Sequence, residues 1–334
     1  MRTPELAGGH ALCVIGLGLI GGSLLRAAQG AGWKAQGAAT SSADVAAARE
    51  AGFDVTSSIE DVLADAASND ALVVLAVPLP AVVDVLALVA RHAPHCRLTD
   101  VVGVKQPVAA AVARRAPSAR YVGGHPMTGT AASGWTAGSA TLFHGTPWMV
   151  SSDDGADPVV WAQVAQLALD CGAHVVPASA AEHDAAVARV SHLPHVLAAV
   201  LASVGADGGP LALALGAGSF TDGTRVAASR PELTRTLCEG NRDALLAAVD
   251  DALGRLGAAR GSLASTGALA ATLEAGHLAR QSFDAAHDRA HERAGEHTVH
   301  VDLNTPASLQ QLRELGRQGA RLVALQGTRC QVQL

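Results

Sequence analysis

The stretch ALCVIGLGLIGGSLLRAAQG, residues 11–30, determines the fold of the first half of the chain. It opens with five apolar residues, which is typical of a buried strand, and its later apolar residues recur at helical spacing. Between the two lie three glycines at GxGxxG spacing, the pattern of a strand–turn–helix unit that binds a dinucleotide. The first glycine makes the turn, the second lets the pyrophosphate approach the backbone, and the third lets the helix pack on the strand. Because free amides at a helix N-terminus attract anions, the predicted cofactor-binding residues are Gly16, Gly18, Leu19, Ile20 and Gly21.

The end of the second predicted strand, KAQGAA at residues 34–39, bears on the choice of dinucleotide. An acidic residue about 20 positions after the glycine motif normally binds the ribose 2′-hydroxyl of NAD. Ala39 stands near that position, and the hydroxyl residues Thr40, Ser41 and Ser42 follow it. These hydroxyls can donate hydrogen bonds to a 2′-phosphate, although no arginine accompanies them, and Ser42 can also cap the next helix. We therefore expect NADP or NAD as the cofactor, with NADP favoured.

Strands and helices alternate through the first half of the chain. Apolar runs at residues 71–77, 96–100 and 119–123 predict further strands, so we expect a parallel sheet with helices on both faces. Residues 146–152 and 173–178 bracket another helix and predict the last strands of this domain. The first part of the chain is therefore predicted to be a doubly wound α/β domain.

The pattern changes after residue 178, where long helical stretches without a convincing strand begin. The last part of the chain has a strand–helix–strand pattern and is too short for a complete regulatory domain. It could add an edge to another sheet, or it could be the remnant of a regulatory module. We predict a dinucleotide-binding domain over residues 1–178, an all-α domain over 179–296 and a short tail over 297–334.

Composition limits the classes of function. The formal net charge is −6, and no basic tract is present, which argues against nucleic acid as a partner. The most apolar region, residues 71–90, is interrupted by Pro78, Pro80 and Asp84, so no membrane span is predicted there. The five cysteines are far apart and form no CxxC, which fits a reducing cytoplasm better than a disulfide framework or a zinc site.

Four segments combine polar residues with glycine or proline: TDVVGVK (99–105), GGHP (123–126), EHDAAVARVSHLPH (182–195) and GSFTDGTRVA (218–227). His125, in the loop segment GGHP after a predicted strand, could be a general base or a surface histidine. Arg225, in a predicted turn with Asp222, could bind a carboxylate or form an Asp–Arg pair. His192 and His195 lie three apart on a predicted helix, but no carboxylate completes a metal-ligand pattern, so we predict no metal site.

Taken together, GLGLIGGS, GGHPMTGTAASGW, EHD, SHLPH and FTDGTR resemble the prephenate dehydrogenase family, which includes arogenate dehydrogenases. The resemblance covers roughly residues 11–255, and the SGW and CEGN segments make it most similar to actinobacterial members. It implies a Rossmann-type N-terminal domain followed by an all-α dimerisation domain, and hence a homodimer. The implied reaction is the NAD(P)-dependent oxidative decarboxylation of prephenate to 4-hydroxyphenylpyruvate in tyrosine biosynthesis, or of arogenate to tyrosine.

The resemblance also implies roles for single residues. His125 would be the base or hydrogen-bond partner of the ring hydroxyl, and Arg225 would bind a substrate carboxylate. Many members have a serine at Gly103 that holds the histidine, so Thr130 or a water molecule would have to supply that hydrogen bond. Ala131 and Thr234 replace a glutamate and a tryptophan, which leaves the choice between prephenate and arogenate open. The implied substrate-binding residues are Arg225, His195, Ser191, Thr130, His183 and Asp222.

Two other functions are compatible with the pattern. One is a dehydrogenase of a hydroxy acid or of an amino-deoxy analogue of prephenate, although such an enzyme would not be expected to combine GGHP, SHLPH and DGTR. The other is a catalytically inactive NAD(P)-binding sensor, which Gly103 and Ala131 favour. The presence of His125, His195 and Arg225 argues against that sensor.

Overall fold

The computed structural model describes residues 10–129, 132–292 and 298–334, with the side chains of 287–292 excepted. Thr130 and Ala131 therefore lie outside the described residues. Contacts within the chain divide it into two compact units, residues 1–184 with 299–334 and residues 185–298. The first unit carries the glycine motif and both sheets, and the second is helical.

The first sheet confirms the doubly wound fold. Its six described strands are parallel and lie in the order β3-β2-β1-β4-β5-β6. Leu12 and Val14 face one hydrophobic core while Cys13 and Ile15 face another, so β1 is buried on both sides. The strands are β1 Ala11–Ile15, β2 Lys34–Ala38, β3 Val55–Thr56, β4 Leu72–Leu75, β5 Arg97–Asp100 and β6 Arg120–Tyr121. The helices between them are α1 Leu19–Gly30, α2 Ser42–Glu50, α3 Ile59–Ser68, α4 Val82–His92 and α5 Gln106–Arg115.

The last three residues of GGHP form a strand, so the prediction of a loop at His125 is wrong. Strand β7 (Gly124–Pro126) pairs antiparallel with β8 (Pro147–Ser151), which in turn pairs parallel with β9 (His174–Ala178) after helix α6 (Pro158–Asp170). These strands form a second sheet within the first unit, so β8 and β9 belong to the first domain, as predicted, but not to its parallel sheet. With Gly124 and Pro126 on either side of His125, β7 has no alternating pattern, so no local pattern predicts its pairing with β8.

The chain from Ala180 to Glu292 is helical, as predicted. A π-helical turn, Ala188–His192, joins the first two of these helices. Pro194 explains the turn, because proline has no N–H to donate and its ring would clash with the carbonyl four residues earlier. The helices are α7 Ala180–Val187, α8 Leu193–Asp207, α9 Gly209–Ala214, α10 Gly218–Thr224, α11 Pro231–Gly240, α12 Arg242–Ser265 and α13 Ala270–Glu292.

The segment before Arg225 was predicted to be a turn, and that prediction is wrong because α10 occupies it. The ring of Phe220 explains the helix. A Cβ on Gly205 of α8 would lie 2.4 Å from that ring, so the aromatic side chain packs directly on the backbone of α8. Arg225 then begins a short 3₁₀ turn, Arg225–Ala228.

The tail completes the second sheet. It consists of β10 (Thr298–Asp302), α14 (Ser308–Arg317), β11 (Arg321–Gln326) and β12 (Arg329–Gln333). In the described residues the sheet order is β10-β12-β11-β9-β8-β7, and β11 pairs antiparallel with both β9 and β12. The tail thus adds strands to the sheet that contains β7.

Candidate active site

The glycine motif has the geometry of a pyrophosphate cradle. Gly16 has φ +105°, and a Cβ there would lie 2.4 Å from the carbonyl oxygen of Ala76 at the end of β4. A Cβ on Gly21 would lie 1.9 Å from the Gly16 oxygen, so α1 packs as closely as the motif requires. Gly18 instead faces open space and begins α1 with no side-chain cap, which leaves the first helix amides available to an anion. β1 and β4 flank the point where the strand order reverses, the usual dinucleotide position.

The end of β2 has no carboxylate at the position of the usual ribose ligand. Ala39 is buried there, and Thr40, Ser41 and Ser42 are exposed. Ser41, not Ser42, caps α2 by accepting a hydrogen bond from the Asp44 amide, so the predicted cap is wrong by one residue. These three hydroxyls could hold the ribose end of a dinucleotide.

The nearby carboxylate of Asp44 already accepts a hydrogen bond from another part of the chain. Its Oδ1 accepts a 2.8 Å hydrogen bond from the Trp135 amide, and the Arg26 guanidinium lies 3.4 Å from the centre of the Trp135 ring. Trp135 is therefore anchored on the two helices whose N-termini would face the dinucleotide.

His125 belongs to a hydrogen-bonded series of three side chains. Its Nδ1 lies 2.8 Å from His183 Nε2, and His183 Nδ1 lies 2.8 Å from Asp184 Oδ1. His183 and Asp184 are 4% and 1% exposed, whereas His125 is half-buried. The series thus runs from a buried carboxylate to a histidine that solvent or a ligand can reach.

The carboxylate decides the tautomers of the two rings, while burial keeps His183 unprotonated. Burial raises the pKa of Asp184, but hydrogen bonds from His183 and from the backbone outweigh burial and keep this pKa below its usual range. Burial is the main cause that lowers the pKa of His183, so this ring is neutral and donates from Nδ1 to the carboxylate. Its Nε2 must then accept from His125 Nδ1–H, so in a neutral His125 ring the lone pair lies on Nε2. A neutral histidine held in this tautomer is suited to take a proton.

Asp184 is held by the start of another helix. Its Oδ1 accepts from the Lys105 amide and its Oδ2 from the Gln106 amide, each at 2.8 Å, so the carboxylate caps α5. A negative charge at a helix N-terminus is favoured by the helix dipole. The first turn of α7 therefore has a fixed position relative to the sheet.

A capping box fixes the other side of that turn. The Ser179 amide and hydroxyl donate to Glu182 Oε2 at 2.8 and 2.6 Å, and the Glu182 amide donates to Ser179 Oγ. Burial raises the pKa of Glu182, but these bonds and the ion pair with Arg317 lower it to about 2. Since Arg317 ends α14, the tail directly supports the turn that carries His183.

A second buried cluster lies beside the series. Asp100 ends β5, and its carboxylate accepts from the Val102 amide at 2.8 Å, from the Tyr121 hydroxyl at 2.6 Å and from the Lys105 ammonium. The same ammonium donates to the Gly124 carbonyl at 2.6 Å. Asp100 and Lys105 are both fully buried.

In the second unit, Arg225 and Asp222 are both exposed. Among the described residues no ion pair joins them and no hydrogen bond occupies the Arg225 guanidinium, so this cation is available to a ligand. The Nδ1 atom of His195 is buried and has no hydrogen-bond partner there, and Ser191 lies one helical turn earlier. His192 is instead buried against Asn241, whose Nδ2 lies 3.2 Å from His192 Nδ1. The described residues contain no group of three or more His, Cys, Asp or Glu that could hold a metal ion.

Family models match most of the chain. Residues 27–177 match a model described as prephenate dehydrogenase, nucleotide-binding domain, and residues 179–268 match prephenate dehydrogenase, dimerization domain. The chain belongs to the prephenate dehydrogenase family. This confirms the resemblance drawn from the motifs and identifies the chain as a member of an oxidoreductase family with a nucleotide-binding domain and a dimerisation domain.

Relatives of this prephenate dehydrogenase family member support the assignment. Cyclohexadienyl dehydrogenase of Zymomonas mobilis is 31% identical over 262 residues, which are 76% of this chain and 88% of the relative. Prephenate dehydrogenase of Bacillus subtilis is 31% identical over 248 residues, which are 72% of this chain and 66% of the relative.

Solved structures share the fold. A candidate prephenate dehydrogenase from Corynebacterium glutamicum is 42% identical with a TM-score of 0.87, and the match covers 93% of this chain and 98% of that one. Prephenate dehydrogenase from A. aeolicus in complex with hydroxyphenyl propionate and NAD+ has a TM-score of 0.73 at 23% identity, covering 84% of this chain and 100% of that one.

Sequence reasoning did not assign a role to Asp100, Lys105 or Tyr121 in this family member. The segment TDVVGVK (residues 99–105) did stand out, because it combines polar residues with glycine after a strand. Its contacts depend on β5 and β7 coming together, which no local pattern predicts. His183 was expected among the substrate-binding residues, and the structure puts it in direct contact with His125.

Proposed function

We propose that this chain is a prephenate dehydrogenase that converts prephenate to 4-hydroxyphenylpyruvate in tyrosine biosynthesis. The observation that carries the proposal is the series Asp184–His183–His125, which presents an imidazole held through its Nδ1 in the same unit as the glycine motif. Arogenate is the alternative substrate, since the family includes enzymes for both compounds. The sensor function is less well supported, because a sensor has no need of a base held in one tautomer.

His125 would act on the ring hydroxyl of the substrate. Its Nε2 accepts the hydroxyl proton as a hydride leaves the carbon that bears the hydroxyl. A bound nicotinamide dinucleotide supplies the hydride acceptor. Carbon dioxide then leaves, its bonding electrons make the ring an aromatic phenolate, and His125 returns the proton to the phenolate oxygen. Asp184, acting through His183, stabilises the imidazolium that exists between these two transfers.

Arg225, His195 and Ser191 are the residues that we propose for binding the carboxylates and polar groups of the substrate. Prephenate is a dicarboxylate, and a guanidinium matches a carboxylate with two parallel hydrogen bonds. We assign this role to Arg225, whose guanidinium has no partner among the described residues. His195 and Ser191 would supply further polar contacts, because the buried Nδ1 of His195 has no partner in the described part of the chain.

The cofactor would be NADP or NAD, with NADP favoured. Ala39 removes the carboxylate that would repel a 2′-phosphate, Asp44 is occupied by the Trp135 amide, and exposed hydroxyls are available at Thr40 and Ser42. Gly18 and the amides of Leu19 and Ile20 would hold the pyrophosphate.

The test is a direct assay. Purified protein is given prephenate or arogenate with either NADP or NAD, and reduced nicotinamide is followed by absorbance. We expect turnover of prephenate and a lower KM for NADP than for NAD. Turnover of arogenate alone would move the assignment to the alternative, and a strong preference for NAD would contradict the cofactor proposal. Failure of both substrates would favour the sensor or another substrate.

The variant His125→Asn tests the base. A positioned acid–base group contributes about 10²–10⁴-fold, so we expect kcat to fall by that factor while cofactor affinity stays nearly intact. Cofactor titration of the same variant is the control for folding. A kcat near that of the unchanged enzyme would contradict the role of His125.

A further inference from the structure

Lys105 is one of two lysines in the chain, and it is fully buried, whereas Lys34 is exposed. Burying an ammonium group is costly unless the group is paired and hydrogen-bonded. The chain uses arginine almost everywhere else, since lysine and arginine together number 24. A compact ammonium at this one buried position therefore indicates a role that a larger guanidinium does not fill.

Lys105 contacts a residue next to each of the two histidines. Its ammonium donates to the carbonyl of Gly124, the residue directly before His125. Its backbone amide donates to the Asp184 carboxylate, which holds His183. One residue thus fixes the strand that carries one imidazole and the carboxylate that orients the other.

The two glycines of GGHP make room for this arrangement. A Cβ on Gly123 would lie 3.2 Å from Lys105 Cδ and 2.9 Å from the Tyr121 hydroxyl oxygen. A Cβ on Gly124 would lie 2.9 Å from the Asp100 backbone oxygen. The small residues before His125 are therefore explained by the passage of the lysine side chain and the close approach of β5.

The charges around Lys105 nearly balance. When both imidazoles are neutral, the carboxylates of Asp100 and Asp184 accompany the single ammonium of Lys105, and the net charge of these groups is −1. A proton on His125 brings the net charge to zero. Without the ammonium, the excess would be two negative charges, which would favour a protonated imidazole before substrate arrives. The titratable groups around the ammonium are Asp100 on β5, Tyr121 on β6, His125 on β7, and His183 and Asp184 on α7.

We propose that Lys105 is a positioning residue for the reaction: it fixes β7 through the Gly124 carbonyl, and its charge keeps the His125–His183 pair unprotonated until substrate binds. The proposal rests on the proposed role of His125 as the base. The Coulombic influence of Lys105 on His183 has the required direction, since it lowers the pKa of that ring.

Two variants separate the two parts of this role. In Lys105→Met the ammonium is lost, and we expect kcat to fall by about 10–100-fold because the base is displaced. The acidic limb of the kcat/KM profile should also move up by about one pH unit. In Lys105→Met/Asp100→Asn both charges are absent, so the limb should return towards its original position. The kcat of the double variant should stay low, because the Gly124 carbonyl still lacks its donor.

The controls separate this role from a structural one. Lys34→Met removes the exposed lysine and should match the unchanged enzyme in both measurements. Lys105→Met alone could fail to fold, because it leaves the Asp100 carboxylate buried without its cation. Replacing both members of a buried ion pair is often tolerated, so the double variant should fold. Thermal unfolding measures whether each variant is folded. If the limb of Lys105→Met does not move, or if kcat recovers in the double variant, the ion pair only stabilises the fold and the proposal is wrong.

A measurement without substrate keeps the test independent of the proposed function. Histidine ring signals followed by NMR in the cofactor-free protein report the titration of His183, which His183→Gln assigns. In Lys105→Met this titration should occur at higher pH than in the unchanged protein. An unchanged titration would overturn the electrostatic part of the proposal. If neither prephenate nor arogenate is turned over, the proposed function fails, and this titration still decides whether Lys105 controls the imidazole pair.

Discussion

At the scale of single residues, the three motif glycines perform different tasks. Gly21 contacts its own turn so closely that any side chain there would collide with the Gly16 carbonyl. Gly18 touches nothing within 4 Å of its missing Cβ, although it lies in the same turn. Gly21 is therefore required by the fold, whereas Gly18 is required only by a bound pyrophosphate.

This difference predicts opposite outcomes for the same substitution. Gly18→Ala should leave the Tm of the cofactor-free protein nearly unchanged and weaken dinucleotide binding, because its methyl group would occupy the pyrophosphate position. Gly21→Ala should lower Tm, because its methyl group would lie 1.9 Å from a backbone oxygen. Thermal unfolding and dinucleotide titration measure the two effects. A Gly18→Ala protein with unchanged dinucleotide affinity would contradict the assignment of the cradle.

Residues whose role depends on their own neighbours in sequence could be predicted. Gly16, Gly18 and Gly21 follow a strand and open a helix, so their spacing alone indicated their geometry. The role of Lys105 could not be assigned, because its bond to the Gly124 carbonyl requires β5 and β7 to come together although they belong to different sheets. Burial of a lysine is a tertiary property that no local pattern records.

At the scale of elements, the tail supports the site from a distance. Helix α14 packs so closely on β9 that a Cβ on Gly316 would lie 1.9 Å from the Pro177 carbonyl oxygen. One residue further on, Arg317 pairs with Glu182 in the first turn of α7. The sequence predicted a strand, a helix and a strand here. It did not indicate which sheet they would join, because strand pairing over such a separation leaves no local signal.

We expect Gly316→Ala to lower Tm, because its methyl group would force α14 away from β9. The same substitution at Gly30, which also lies in a helix but has nothing within 4 Å, is the matched control. There the change should be neutral or stabilising, since alanine in a helix is favoured over glycine by about 0.5–1 kcal/mol. Equal Tm values for the two variants would show that α14 does not depend on the close approach.

The second sheet should also make stability depend on pH. Burial, followed by the charge of Arg321, lowers the pKa of His174 in β9 from 6.5 to about 4. The unfolded chain then binds a proton more readily than the folded one between these values, so stability falls as pH drops from 6.5 towards 4. His174→Gln should flatten the dependence of Tm on pH in this window, whereas the exposed His300→Gln should not. Parallel curves for His174→Gln and the unchanged protein would refute this origin.

At the scale of the whole molecule, the second unit exposes many large apolar side chains. On α12, Leu246, Leu253, Leu256 and Leu263 are each more than half exposed, and their spacing of seven, three and seven places them along one face. The helical stretch Ala180–Asp207 is also apolar and long enough by composition to cross a membrane. The match of residues 179–268 to a dimerization domain favours a second copy of the chain as the partner that covers these surfaces.

We therefore expect a homodimer, with a mass in light scattering of twice the 33.6 kDa of one chain. Burial of a leucine contributes about 1.5–3 kcal/mol, and a buried unpaired charge is costly, so Leu253→Glu/Leu256→Glu should shift the mass towards one chain. Val159→Glu is the matched control, because Val159 is 53% exposed in the first unit and should leave the mass unchanged. A double variant that keeps the full mass would exclude this face of α12 from the dimer. A protein that requires detergent to stay in solution would instead indicate that the apolar helices meet lipid.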